Sequence, residues 1–249
     1  MLARMLRHLL PGCCVLCRQP LAADAEPDLC RFCLASLPWN ALACERCAAP
    51  LPHPDQPLCG DCERRPPPFR RALAPLCYEG WPSRWIGRLK DRLGLVEGRL
   101  LGAILADAAE SFYLAAADDG PRVRPDALVP VPLTWRRLAW RGHNQALTLA
   151  LPVARRLQVP VWRHTLVRVR TGRRQRGLDR GARAENVGGL FRCRRRWAAP
   201  GPCLAVVDDV MTTGTTAAAI SRALLDAGAS EVHVLCAART PRRRQPALS

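Results

Sequence analysis

Leu204-Ala205-Val206-Val207-Asp208-Asp209-Val210-Met211-Thr212-Thr213-Gly214-Thr215-Thr216 is the stretch on which the reading of this chain turns. Residues 203–207 form a short apolar β run, and residues 215–227 read as a helix closed by Gly228. Between them lie two acids and a turn made of threonines and one glycine. A strand-to-helix turn presents free backbone N–H groups and the positive end of the helix dipole, which together hold an anion. Thr212, Thr213, Thr215 and Thr216 add hydroxyl donors, and Gly214 lets the backbone approach a phosphate. Asp208 and Asp209 stand one step earlier, where carboxylates accept hydrogen bonds from vicinal sugar hydroxyls and help to hold Mg²⁺. A lone Asp-x-x-Thr would be read as a helix cap; paired acids followed by Thr-Thr-Gly-Thr-Thr indicate a site for a sugar phosphate.

The flanking sequence supplies more strands and helices in alternation. Residues 72–78, 126–131, 166–169 and 231–237 read as strands, the second ended by a Val-Pro-Val-Pro turn. Over residues 83–93, Trp85, Ile86, Leu89 and Leu93 share one face at helical spacing. Residues 100–117 are a more apolar helix, and residues 144–157 a helix broken or bent near Pro152. Strands separated by helices predict an open, mostly parallel α/β sheet. Residues 170–196, dense in Arg and Gly, are expected to be a mobile functional loop or disordered, and residues 241–249 a disordered tail.

Of the 13 cysteines, eight fall as Cys-x-x-Cys pairs: Cys14 with Cys17, Cys30 with Cys33, Cys44 with Cys47, and Cys59 with Cys62. Each pair lets two thiolates grip one tetrahedral ion from a tight turn. The simplest partition is two consecutive four-thiolate zinc sites, residues 14–33 and 44–62, although the spacing also permits interleaved pairing. Cys13 leaves the first register open by one residue. Four protein thiolates close the coordination sphere, so the expected role of the zinc is structural. Cys77, Cys193, Cys203 and Cys236 read as buried small hydrophobes. The predicted organisation is a double zinc ribbon over residues 10–63, a stiff Pro/Arg linker over 64–71, the α/β domain over 72–240, and the tail.

A formal net charge of +17 attracts polyanions, whether nucleic acid, phosphorylated metabolites or acidic lipid. Lys90 is the sole lysine among 38 basic residues, and the arginine surplus also matches ordinary solvated surface in an Arg-, Ala- and Pro-rich chain. Arg4, Arg7 and His8 interrupt the apolar run of residues 1–10, so a short amphipathic helix is expected there and not a signal peptide. Asp107 and Glu110 deny residues 100–117 a membrane span. The paired thiols and these flanks predict a soluble protein of a reducing compartment, the cytoplasm.

The run from Asp208 to Thr216 resembles the fingerprint of type I phosphoribosyltransferases, which bind 5-phosphoribosyl 1-pyrophosphate. The resemblance extends to the ComF family of competence-associated proteins. It is carried by Tyr78 and Lys90, Val129-Pro130-Val131-Pro132-Leu133, Arg137 with Arg141-Gly142-His143-Asn144-Gln145-Ala146, Arg168-x-Arg170-Thr171, Gln175-x-x-Leu178, Arg183-x-x-Asn186-Val187 and Phe191. Cysteine pairs ahead of such a domain are similar to the family's arrangement. His143 departs from it, since Phe or Tyr is usual there, as does Arg174 in place of Thr or Ser.

This resemblance implies a type I phosphoribosyltransferase fold behind a double zinc ribbon. It implies that Asp208 and Asp209 meet the ribose hydroxyls, that Thr212, Thr213, Gly214, Thr215 and Thr216 cradle the 5-phosphate, and that Pro130 and Val131 face the pyrophosphate with Mg²⁺. Residues 170–186 would close over the sugar, with Arg170 and Arg173 contacting the anion. The family name implies handling of single-stranded DNA in natural transformation, alongside a competence helicase or DNA-processing proteins. Trp81, Trp85, Trp135, Trp140 and Trp162, interspersed with arginines, would offer stacking platforms, although Trp85 is more simply core. The alternative is an active phosphoribosyltransferase of nucleotide salvage or related metabolism, for which no base-recognition residue can be read.

Overall fold

The computed structural model of the chain describes residues 12–21, 28–91, 94–115, 124–169 and 190–241. Four strands make an all-parallel path in the order β1 (Arg71–Leu73), β7 (Glu231–Arg239), β6 (Cys203–Met211), β3 (Ala127–Pro130), and β2 (Leu76–Cys77) also pairs with β7. The single strand expected over residues 72–78 is split because Pro75, between β1 and β2, has no N–H to give to a ladder. β6 runs past Val207 to Met211, so both acids lie inside the strand and not after it. Its register pairs Asp208 with Cys236 on β7, and Val207 with Pro130 on β3.

β6 is buried on both faces, and its alternate residues serve two cores. Ala205 and Val207 join a cluster with Trp85, Ile86 and Leu89 of α3 (Gly80–Leu89), Leu101 and Leu105 of α4 (Leu95–Ala115), and Leu149 and Val153 of α6 (Gln145–Leu157). Leu204 and Val206 join the opposite cluster, with Ala217, Ile220 and Leu224 of α7 (Thr215–Leu225). The mostly parallel sheet flanked by helices predicted from the sequence is therefore the observed architecture. Trp85 is fully core, as its spacing implies.

α6 runs unbroken through Pro152, contrary to the break expected there. The proline ring lies against α4 at Gly102, where an added Cβ would meet Pro152 Cγ at 2.6 Å. Close packing of the two helices around this pair supports a helix whose own ladder has lost one bond. Residues 166–168 (β4) do not enter the main sheet but pair antiparallel with β5 (Phe191–Cys193), a strand hidden in the Arg-rich sequence. Arg170, Arg173 and the expected closing loop, like residues 1–10 and the tail from residue 242, lie outside the described residues.

Cys203 and Cys236 are buried as expected, but Cys77 and Cys193 are only half-buried, since both belong to short edge segments. At the amino ends of β6 and β7, far from the two acids, Tyr113 Oη lies 2.9 Å from His233 Nδ1 and Glu231 Oε1 2.6 Å from Nε2, a network in which Tyr113 and His233 are buried and Glu231 is partly exposed. Burial lowers the pKa of His233 and so favours neutral imidazole. Among the described residues, no helix is long and apolar enough to cross a membrane.

Candidate functional site

The threonine-rich loop forms where β6 leaves the sheet at Met211 and α7 begins after Gly214. Gly214 is the N-cap residue at φ 79°, a left-handed conformation that a side chain would strain. Gly214 has no side chain to cap the helix, and the first amide, that of Thr215, donates to Thr213 Oγ1 at 3.4 Å within the loop. Thr213 Oγ1 and Thr215 Oγ1 stand 2.7 Å apart across the turn, and Thr212 and Thr216 are exposed. The loop encloses a cavity of about 50 Å³ whose lining includes Asp208, Thr213, Gly214, Thr216 and Val131. Val131 is held there by its N–H to Val207 O at 2.9 Å, and Asn144 Nδ2 donates to its carbonyl at 3.1 Å. The structure thus gathers Val131, Asp208 and residues 212–216, with Pro130 one step away on β3.

The two acids are not equivalent. Successive residues of a strand face opposite sides: Asp208 lines the cavity under the loop, while Asp209 Oδ2 is 3.1 Å from Lys90 Nζ at the end of α3. The Asp208 carboxyl is pushed up to about 8, first by desolvation and then by the negative charge of Asp209. A cation placed beside it would relieve both effects. Asp208 is accordingly the residue of this cavity beside which a divalent cation would fit.

Lys90 and His143 are the parts of this site that sequence reasoning did not place. His143 Nε2 lies 2.8 Å from Leu89 O, so the histidine fastens the end of α3 next to Lys90. The only signals in the sequence were the uniqueness of the lysine and the departure from an aromatic at position 143.

The eight paired cysteines form two groups, Cys14, Cys17, Cys30, Cys33 and Cys44, Cys47, Cys59, Cys62, each with sulfurs within 4.8 Å of one another. The consecutive partition therefore holds, with Cys13 left outside. Cys17 and Cys30 Sγ are 3.6 Å apart, and so are Cys47 and Cys59 Sγ. A tetrahedron with Zn–S bonds of about 2.3 Å has an edge of about 3.8 Å, whereas a disulfide needs about 2.05 Å. Backbone N–H groups of Cys33 and Cys59 point at Cys30 Sγ and Cys44 Sγ, at 3.5 and 3.3 Å, as donors to thiolate sulfur. Desolvation, then contacts with Cys30, Cys17 and Cys14, push the Cys33 thiol up to about 12, and burial raises Cys62 as well. A divalent ion removes that penalty by holding the thiolates. The residues fit structural zinc at both sites.

The described surface also carries exposed aromatics. On α5 (Trp135–Arg141), which follows the Pro130–Val131 turn, Trp135 and Trp140 are 63% and 64% exposed, and Arg136 lies 5.5 Å from the Trp135 ring centre. Trp81 is partly exposed beneath Arg84, whereas Trp162 stacks on Trp197 at 6.0 Å.

Comparison with known proteins bears on both halves. Residues 5–63 match the double zinc ribbon domain. The DNA utilization protein YhgH of Salmonella typhimurium is 34% identical over 93% of this chain and 98% of its own length. The Competence protein F of Haemophilus influenzae is 31% identical over 91% of this chain and 96% of its own. Among solved structures, the glutamine phosphoribosylpyrophosphate amidotransferase of B. subtilis, complexed with ADP and GMP, aligns at 25% identity and a TM-score of 0.35, covering 55% of this chain and 25% of that one.

Proposed function

As a member of the ComF family of competence and DNA utilization proteins, the chain, we propose, binds 5-phosphoribosyl 1-pyrophosphate with Mg²⁺ and handles single-stranded DNA in the cytoplasm during natural transformation. The observation that carries the ligand half is the helix start behind the left-handed Gly214, which has no side chain of its own, with Asp208 lining the same cavity. The 5-phosphate takes the amides and hydroxyls of residues 212–216, and Asp208 faces the sugar. Mg²⁺ would neutralise the pyrophosphate beside Val131 and the Asp208 carboxylate. Arg170 and Arg173 are proposed to close on the anion from the strand end at Arg168.

The DNA half rests on the names of the relatives, on the net charge of +17 and on the exposed Trp135 and Trp140 among arginines. Stacking of bases on tryptophan with phosphates drawn to arginine is the general chemistry of single-strand binding. Fluorescence anisotropy with a labelled oligonucleotide tests it. Affinity should fall linearly on a logarithmic salt axis, with a slope of about −0.7 for each phosphate neutralised. Absence of binding at low salt would leave the ligand half standing alone.

A further inference from the structure

Arg239, the last residue of β7, is 3% exposed, and its guanidinium is engaged by backbone carbonyls. Its Nε donates to the carbonyl of Cys47 at 3.0 Å, and its Nη1 donates to Met211 O at 2.9 Å, to Thr212 O, and to Thr240 O at 3.3 Å. One guanidinium therefore spans from a ligand residue of the second zinc group to the first residues of the phosphate loop. The surroundings reinforce this bridge, since Cys44, Cys47, Cys59 and Cys62 share a hydrophobic cluster with Phe69, Met211 and Ala217. Asn40 Nδ2 adds a second tie by donating to Ala48 O at 2.9 Å and Ala74 O at 3.0 Å. A cleft of about 270 Å³ runs along this seam, with Cys62 and Arg65 on one wall and Thr213 and Arg222 on the other.

We infer that the second zinc ribbon is a working part of the sugar-phosphate site, with Arg239 as the positioning residue that sets the Met211–Thr212 backbone against it. The Met211 and Thr212 carbonyls turned onto Arg239 direct the Thr212 and Thr213 amides the opposite way, towards the cavity, because each peptide unit points its N–H opposite to its C=O. Arg239 is suited to the task since its planar, permanently charged fork satisfies several fixed acceptors at once, which a lysine cannot reproduce. Loss of the second zinc frees Cys47 and, through Arg239, the loop. The ligand readout of this inference rests on the phosphoribosyl reading above; the backbone readout does not.

The test uses the full, zinc-loaded protein, with Arg239→Met, Arg239→Lys and Cys62→Ser compared with the unaltered chain. Zinc content, amide NMR resonances of residues 212–216 and affinity for 5-phosphoribosyl 1-pyrophosphate with Mg²⁺ are measured on each. Arg239→Met should keep both zinc ions, displace the loop resonances and weaken the ligand at least tenfold, with Arg239→Lys intermediate. Cys62→Ser should displace the same resonances as it loses one zinc. Should Arg239→Met fail to fold, Arg239→Lys and Cys62→Ser decide alone. Loop resonances unmoved in the folded variants would overturn the coupling, whereas moved resonances in a protein that takes up no ligand would uphold it and sink the phosphoribosyl reading.

Discussion

Lys90 Nζ lies 3.1 Å from Asp209 Oδ2, in a pair whose carboxylate side chain is 6% exposed and whose lysine is 30% exposed. The sole lysine of the chain thus pairs with one of the two adjacent acids, so that a single carboxyl group, that of Asp208, faces the cavity under the loop. Removing the lysine leaves a buried charge without its partner. Lys90→Met should lower stability by about 1–3 kcal/mol in urea melts, with the partial exposure of Lys90 keeping the loss below that of a fully buried pair. Asp209→Asn in the same chain should recover most of it. Strict additivity of the two substitutions would contradict the pairing.

Asp208 gives the protein an unusual pH dependence. Its folded-state pKa is raised to about 8 from the ordinary 3.8, so the folded protein holds a proton that the unfolded chain releases. The stability associated with it is fully present below the ordinary carboxylate range and is lost as pH rises towards 8. Asp208→Asn should flatten this fall, melting above the unaltered protein at pH 8 by on the order of 1–3 kcal/mol, while showing no such advantage at pH 4. Thermal melts across that window, without ligand, measure it; parallel profiles would contradict the assigned environment.

Both zinc groups should behave as folding elements. Cys14, Cys30 and Cys33 of the first pack beside Leu21 and Leu29 in one core, and the cysteines of the second beside Phe69 in the other. Two equivalents of zinc are expected, and their removal by a chelator should cost several kcal/mol of stability, restored by adding zinc back under reducing conditions. Loss of stability on reduction alone, with no zinc bound, would point to disulfides instead.

The exposed tryptophans of α5 predict a specific loss of DNA binding. Trp135→Ala and Trp140→Ala should each weaken binding to a single-stranded oligonucleotide by about 1–3 kcal/mol without changing the salt slope, because stacking releases no counterions. Arg136→Ala should instead reduce the slope. Both tryptophan variants binding like the parent would move the DNA interface elsewhere.

The parts of this protein legible in its sequence are those whose chemistry is local. The Cys-x-x-Cys pairs carry their geometry within a turn, and Leu204 to Thr216 holds a strand, acids, glycine and helix start in one continuous run. The pairing of Lys90 with Asp209 was not legible, because it depends on α3 packing across the end of β6. Arg239 was hidden in the same way: its partners Cys47 and Met211 lie 192 and 28 residues away. A charge closing the apolar strand Val-His-Val-Leu-Cys-Ala-Ala-Arg was the one available hint. Pro152 misled because local ladder chemistry argues for a break, whereas the smooth face of Gly102 on a neighbouring helix compensates for it.

The phosphate loop is tested most directly by isothermal titration of the zinc-loaded protein with 5-phosphoribosyl 1-pyrophosphate and Mg²⁺, repeated on the Asp208→Ala, Asp209→Ala double variant. Saturable, Mg²⁺-dependent heat in the parent and its loss in the folded double variant are expected. No binding by the parent, or equal affinity in the two proteins, would contradict the assignment of this loop to a phosphoribosyl ligand.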